Sequence, residues 1–324
     1  MTSALRALWC RLSTGSILTS VELLLWGGLS ARGGPPGRRN PLPARVFAYL
    51  MLAVAPALAA THSVVISGIG GEPEYSKRFE SWSAEIAKAL PGTLVFNNAT
   101  AAQVRSALSN LARRSTPQDD IVLMLIGHGT FDGAEYKFNL RGPDLTAQQL
   151  AGLLDAVPSS RQLVVNMTSA SGAGLEALRK SNRVVITATR SGTEKNATVF
   201  ARYWAEALRD PSADTDKNES ISALEAFRFA EDRIARFYKD QTRLATEHPR
   251  IDGNAAAFVL ARYGQTAAAH SDPAKTQLLA RREQLERDIE DLKTRKAAID
   301  DAEYRRRLTA LLLELARVQE ALDQ

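Results

Sequence analysis

The strongest constraint on the fold is a regular alternation of short apolar runs with longer amphipathic segments. The run at residues 121–126 is wholly apolar, as expected for a strand covered on both faces of a parallel sheet. Between such runs, apolar residues recur at helical spacing. The order predicts an α/β fold, with a mainly parallel sheet and helices on both faces. Strands are predicted at 62–67, 93–96, 121–126, 162–165 and 184–187, and helices at 75–90, 100–112, 144–156, 174–180, 197–208 and 223–239.

Residues 1–59 have the features of a leader and signal peptide. Arg45 precedes an apolar run that ends in Ala57-Leu58-Ala59, the arrangement of a signal peptide with a small-residue cleavage site. The run is shorter than the roughly 20 residues of a membrane span, and an N-terminal anchor helix is the alternative. Residues 1–40 are either a long leader or follow a start codon assigned too far upstream. We expect an exported protein of the periplasm or cell envelope, mature from near Ala60.

The charge distribution argues against a nucleic-acid partner. The net charge of +5 belongs to residues 1–59, which hold six arginines and one acid, whereas the remaining chain has 35 basic and 35 acidic residues. Affinity for phosphate backbones requires a basic surface, which such a balance does not supply. The single cysteine, Cys10, also lies in the leader. The rest of the chain therefore has no thiol chemistry or disulfide.

Two consecutive predicted strands end in residues that could do chemistry. The strand at 121–126 runs into Gly127-His128-Gly129, and the strand at 162–165 runs into Asn166-Met167-Thr168-Ser169. The carboxyl ends of parallel strands meet at one edge of a sheet, which is where ligands bind in this class of fold. We therefore expect His128 to lie beside the hydroxyls of Thr168 and Ser169. Either motif alone is weak, because glycine and serine are common in turns and caps.

These two strand ends resemble those of the caspase, legumain and gingipain superfamily of cysteine peptidases, and of its bacterial legumain-like branch in particular. In that pattern one strand ends in His-Gly, which His128 and Gly129 match. The next strand ends in a motif with the nucleophilic cysteine, often followed by Ser-Gly. Aligning it with Ser169-Ala170-Ser171-Gly172 places Ser169 at the cysteine position. The resemblance implies a caspase-like sheet within a domain spanning residues 60–271. It also implies that the strand at 185–189, with Thr189, borders a substrate groove.

Serine at the cysteine position changes the expected chemistry. A thiol with a pKa of about 8.5 is partly ionised near neutrality, whereas a hydroxyl needs a closely aligned base. The resemblance therefore implies a pseudo-peptidase: a peptide-binding or scaffolding module that retains a pocket at Gly129 and the Ser169 amide. We expect Asn166, Thr168 and Thr189 to contact a peptide or protein ligand; the alternative for Asn166 is that it only satisfies backbone N–H groups of the turn. The alternative is a hydrolase in which Ser169 attacks a carbonyl and His128 acts as base. No cofactor is required by either mechanism.

A separate acidic segment matches the spacing of a calcium-binding loop. Oxygen-bearing residues fall at the ligand positions of such loops, with Ser220 offering its backbone carbonyl. Two departures weaken the match: Glu219 stands where these loops have glycine, and Pro211 separates the loop from the preceding helix. The alternative is an acidic turn that caps the helix at 223–239. If the loop binds calcium, we expect a structural ion held by Asp214, Asp216, Asn218, Ser220 and Glu225.

The C-terminal residues 272–324 are predicted to form a separate helical module. Leu278, Leu285, Leu292 and Ile299 recur every seven residues, and a second apolar series follows from Leu308. This heptad pattern predicts two helices with a bend near residues 300–303. Two interpretations stay open: a helical hairpin packed on the parent domain, or a coiled coil through residues 274–324 that pairs with a second copy or a partner helix. The second makes the protein a coiled-coil assembly factor of the cell envelope.

Overall fold

A computed structural model describes residues 60–264, 266–267 and 272–323. The predicted leader and signal peptide at 1–59 lie outside the described residues, as does the predicted domain boundary at 271. No helix of the described part is long and apolar enough to span a membrane.

The strands are β1 Thr61–Ser67, β2 Leu94–Phe96, β3 Asp120–Gly127, β4 Gly129–Phe131, β5 Tyr136–Phe138, β6 Leu145–Thr146, β7 Arg161–Thr168, β8 Arg183–Thr187, β9 Ser220–Ser222, β10 Arg250–Asp252 and β11 Val259–Arg262. The helices are α1 Pro73–Ala89, α2 Ala101–Arg114, α3 Ala147–Asp155, α4 Leu175–Leu178, α5 Phe200–Ala207, α6 Ala223–Asp240, α7 Pro273–Thr294 and α8 Asp301–Asp323.

A six-stranded, mostly parallel sheet forms the centre of the molecule, in the order β10-β8-β7-β3-β1-β2. The strands β1, β2, β3, β7 and β8 are parallel, and β10 adds an antiparallel edge. The predicted α/β class and mainly parallel sheet are therefore confirmed. All five predicted strands are present, while β10 and two small antiparallel sheets, β4-β5-β6 and β9-β11, were not predicted.

Helices cover both faces of this sheet because β3 and β7 are apolar on both sides. Alternate β3 residues such as Met124 belong to one layer of the core, together with Phe79 of α1 and Trp204 of α5. The intervening residues such as Leu123 belong to the other layer, together with Leu108 of α2 and Leu150 of α3. The period of two along a strand divides one apolar run between two layers of core.

Capping residues determine where several helices begin. Thr100, Thr146 and Ser222 each accept a hydrogen bond from the backbone N–H three residues later, and the side chain at that position bonds back to the cap. These reciprocal pairs satisfy backbone N–H groups that a helix start leaves without partners. The helix predicted at 144–156 therefore starts only at Ala147, after Thr146 has served as its cap.

The C-terminal module is a helical hairpin attached to the body of the protein. The start of α7 meets the end of α8, where Lys275 donates to the Leu322 carbonyl at 2.7 Å. Leu285 is fully buried in the seam between the two helices. On the body side, an ion pair joins Glu283 of α7 to Arg262 of β11. The structure thus has the first of the two predicted arrangements within one chain, and pairing with a second chain stays a prediction.

Candidate functional site

The two chemistry-bearing strand ends are neighbours in the sheet. β3 and β7 pair in parallel along their length, and the last pair of their register is Gly127 with Thr168. The next residues, His128 and Ser169, leave the sheet together at its carboxyl edge. Parallel register of two apolar strands thus places the backbones of these two residues side by side, while the predicted contact between their side chains stays a prediction.

His128 is held by aromatic rings and by a carbonyl group. Its imidazole is half-buried, with ring centroids 4.8 Å from Tyr75 and 5.3 Å from Phe79, both on helix α1. Its Nε2 lies 3.2 Å from the Gly70 carbonyl oxygen. Because a carbonyl only accepts hydrogen bonds, this nitrogen carries the proton as donor.

Ser169 bonds to the backbone of Gly129 and not to His128. Its Oγ accepts from the Gly129 N–H at 3.1 Å and donates to the Gly129 carbonyl at 3.2 Å. The residue is buried, with only 2% of its surface exposed. Within residues 60–264, no hydrogen bond joins Ser169 to the His128 ring. The Gly129 amide, predicted to face an incoming carbonyl, has the serine oxygen as its partner.

Gly129 is required by the close packing of this corner. A Cβ atom at this position would lie 2.5 Å from the Ser169 carbonyl oxygen and 2.6 Å from the Tyr136 ring. Contacts this short do not occur in relaxed structures, so a side chain here forces the neighbouring backbone to move. The Gly-His-Gly motif therefore has a packing explanation beside the catalytic one.

The predicted substrate contacts Asn166 and Thr168 form a buried polar network with Tyr136. Asn166 and Thr168 are fully buried, and the Thr168 hydroxyl donates to Asn166 Oδ1 at 2.8 Å. The Tyr136 hydroxyl lies 2.6 Å from Thr168 Oγ1, and burial raises the pKa of Tyr136 to about 12. The Asn166 Nδ2 group has no hydrogen-bond partner among the described residues. Because both residues are buried, a ligand would reach them only after this network opens. The predicted substrate contacts of Asn166 and Thr168 stay predictions.

Thr189, the third predicted substrate contact, joins β8 to the turn that follows Ser169. Its Oγ1 accepts from the Gly172 N–H at 2.9 Å, and its own N–H donates to Ser171 Oγ at 3.1 Å. Ala170, between Ser169 and this turn, has φ of 55°. A left-handed conformation is unfavourable for alanine, so the turn stores strain next to position 169.

Three residues near this edge were not predicted: Glu194, Glu247 and His248. The Glu194 carbonyl accepts from the Ala170 N–H at 2.8 Å, and the His248 Nδ1 lies 2.6 Å from a Glu194 carboxylate oxygen. Glu247 is buried and accepts from the N–H groups of Val199, just before helix α5, and Phe200, its first residue. Burial raises its pKa to about 7. All three lie in loops without a motif, so the sequence offered no signal.

The acidic segment folds into a tight loop whose carboxylates converge. Oxygens of Asp214, Asp216 and Glu225 lie within 4.8 Å of one another. Glu219 and Lys217 have φ of 61° and 62°, so the loop makes a sharp turn where calcium loops have glycine. Burial and the neighbouring charges of Glu225 and Asp214 raise the pKa of Asp216 to about 6.

Other predicted ligands of this loop have partners within the protein. Asn218 Oδ1 accepts from the Ser220 N–H at 2.8 Å. Glu225 accepts from the Ser222 N–H at 2.9 Å and so caps helix α6, as the alternative interpretation of the segment requires. The Asp214 carboxylate binds the Tyr263 hydroxyl and the Glu219 N–H. A helix cap and a calcium loop use the same residues here, so the calcium prediction stays open.

Comparisons with known proteins find distant structural likenesses alone. No family model matches the chain, and no curated protein does. Among solved structures, it is similar to protein GSU0716 from Geobacter sulfurreducens, with 12% identity and a TM-score of 0.43 over 63% of this chain and 97% of that one. It is also similar to drICE, a caspase, with 8% identity and a TM-score of 0.38 over 60% of this chain and 87% of that one. Likenesses of this degree assign neither a family nor an activity to the chain.

Proposed function

We propose that this protein is an exported pseudo-peptidase of the legumain and caspase type, which binds a peptide or protein ligand without cleaving it. The observation that supports the proposal is the hydrogen bonding of Ser169. Its hydroxyl both accepts from and donates to the Gly129 backbone, and His128 Nε2 faces the Gly70 carbonyl. A serine nucleophile needs a base that accepts its proton and a free donor for the oxyanion. In the residues that the structure describes, no hydrogen bond joins Ser169 to His128 and the Gly129 N–H already has Ser169 Oγ as its partner, which supports binding without cleavage.

The surroundings of His128 suit a binding surface. The imidazole is half-buried against Tyr75 and Phe79 of helix α1, at the carboxyl edge where ligands of parallel sheets bind. Aromatic side chains beside a polar strand end are typical of sites that bind a ligand with both apolar and polar groups. Export, the ligand and the cell-envelope location are parts of this proposal, and they depend on the leader at residues 1–59 and on the strand-end motifs.

A serine-directed fluorophosphonate probe tests the proposal against the hydrolase alternative. We expect no labelling of the purified protein, since the proposal has the Ser169 hydroxyl bonded to the Gly129 backbone and not to His128. Ser169→Ala and His128→Ala serve as the controls. Labelling of the parent protein that both variants abolish would establish a serine hydrolase and refute the pseudo-peptidase proposal.

The second candidate, a coiled-coil assembly factor, is favoured by exposed leucines on the hairpin. Leu312 and Leu313 of α8 are 48% and 57% exposed, on a helix with heptad spacing. If the hairpin joins two chains, light scattering after size-exclusion chromatography gives a dimer mass that falls to one chain in Leu313→Lys. A single-chain mass for the parent protein contradicts this candidate.

A further inference from the structure

A cavity lies at the end of the sheet opposite His128 and Ser169. Its volume is about 710 Å³, and its walls include the first residues of β3, β7 and β8: Asp120, Arg161 and Arg183. Helix α7 contributes Arg287 to the same cavity. The volume falls in the range of about 300–1,000 Å³ that is usual for small-molecule sites. Because the cavity lies at the first residues of these strands and the strand-end site follows their last residues, the length of the strands separates the two.

Positive side chains predominate in the cavity wall, but most of them are neutralised. Arg161 binds the Asp120 carboxylate and lies over the Phe258 ring. Arg179 binds Asp252, while Lys180 and Arg183 share the carboxylate of Asp155. The charged residues of the wall are Arg161, Arg179, Lys180, Arg183 and Arg287, with Asp120, Asp252 and Asp291 opposing them.

Arg287 is the exception. In the part of the chain that the structure describes, its guanidinium forms no ion pair, and its hydrogen bond goes to the neutral amide oxygen of Gln284 at 2.6 Å. Burial and the charge of Arg161 lower its pKa. Guanidinium groups stay charged in proteins. A half-buried cation beside a second arginine therefore lacks a counter-charge of its own.

The carboxylates around Arg287 bond elsewhere. Glu283 pairs with Arg262, and Asp288 accepts from the Gln284 amide at 2.7 Å. Asp291 accepts from the Asn254 amide at 3.2 Å. Each of these acids lowers the local positive potential without occupying the donors of Arg287. Apart from the bond to Gln284, the donors of the Arg287 guanidinium can therefore bind an acceptor that enters the cavity.

We propose that this cavity binds a small organic anion and that Arg287 holds its phosphate or carboxylate group. The planar fork of a guanidinium matches the oxygens of either group with two parallel hydrogen bonds. Partial burial strengthens such a bond, because less water competes for the donors. The cavity is larger than an isolated oxyanion, so the group belongs to a larger molecule whose body fills the space toward β7 and β8.

Titration calorimetry of the full chain at low ionic strength tests this site, with inorganic phosphate and acetate as separate probes. The parent protein and Arg287→Gln are compared with Arg317→Gln, a control on the exposed side of α8 outside the cavity. We expect Arg287→Gln to weaken binding by about tenfold or more, the loss typical of a charge-assisted hydrogen bond, and Arg317→Gln to bind as the parent does. Preference for phosphate or for acetate identifies which group the site takes.

A third variant keeps the test decisive if Arg287→Gln does not fold. Arg287→Lys retains the charge but not the fork, and we expect its affinity to fall several-fold below the parent value. The proposal is overturned if neither probe binds at millimolar concentration, if Arg287→Gln and Arg287→Lys bind as well as the parent, or if Arg317→Gln loses as much. None of these results affects the proposed role of the His128 edge, which the fluorophosphonate experiment tests separately.

Discussion

At the scale of single residues, the position of one hydroxyl determines what the strand-end site can do. A cysteine at 169 would ionise with modest help, whereas Ser169 has its hydroxyl bonded to both backbone groups of Gly129. Reorienting this hydroxyl toward His128 breaks two hydrogen bonds in a buried corner. The close contact between the two strand ends therefore explains the tight packing of Gly129, and it is also the observation on which the proposed lack of nucleophilic chemistry rests.

Gly129 is where this contact is most sensitive to substitution. Gly129→Ala places a Cβ atom 2.5 Å from the Ser169 carbonyl oxygen, and we expect the free energy of unfolding to fall by about 1–3 kcal/mol because of overpacking. Gly152→Ala is the matched control, since its Cβ atom meets nothing within 4 Å on helix α3. Alanine favours a helix, so the control should gain about 0.5–1 kcal/mol. Denaturant unfolding measures both, and an equal effect of the two substitutions contradicts the packing argument.

The sequence predicts which residues meet at this site better than it predicts their bonds. The adjacency of His128 and Ser169 follows from two apolar strands in parallel register. The bond from His128 to Gly70 could not be predicted, because Gly70 lies in a different turn 58 residues away. The Glu194–His248 pair was missed for the same reason, as it joins two irregular loops. Local patterns specify elements, whereas bonds between loops depend on the finished tertiary structure.

At the scale of elements, the acidic loop at residues 214–225 shows what residue spacing can and cannot predict about a loop. The segment was recognised because its oxygen-bearing residues recur at alternate positions, and the structure brings Asp214, Asp216 and Glu225 together. The strand β9 within it was not predicted, since three residues are too few to show a periodic pattern. Its pairing with β11 connects the loop to residues some 40 positions later.

Calcium binding by this loop would appear as stabilisation. Adding Ca²⁺ at about 100 times its Kd should raise the thermal unfolding temperature by roughly 5–10 °C, because the ion binds the folded state and relieves repulsion between the carboxylates. Asp216→Asn removes one charge and should abolish most of the shift. Asp240→Asn, at the exposed end of α6, should leave it intact. A parent protein indifferent to Ca²⁺ would show that the segment is only a helix cap.

At the scale of the whole molecule, buried carboxyl groups set how stability changes with pH. Burial raises the pKa of Glu247 and of Glu286 to about 7. Asp132 behaves in the opposite way, since backbone N–H groups lower its pKa to about 2. A carboxyl with a raised pKa binds its proton more tightly in the folded state. Stability from such a group is present at low pH and is lost as pH rises.

Glu247 provides the clearest case, because it joins the loop beside the strand-end site to the start of α5. Its folded pKa of about 7 exceeds the ordinary value of 4.5, so the unfolded chain releases this proton first and stability falls as pH rises from about 5 to 8. Glu247→Gln removes the charge and keeps one side-chain oxygen as an acceptor for the N–H groups of Val199 and Phe200. Between these pH values the free energy of unfolding of the parent should fall by about 1–3 kcal/mol more than that of the variant, measured by urea unfolding.

Glu80→Gln, an exposed control on α1, should follow the parent. Parallel curves for all three proteins would mean that Glu247 is ionised in the folded state throughout this range.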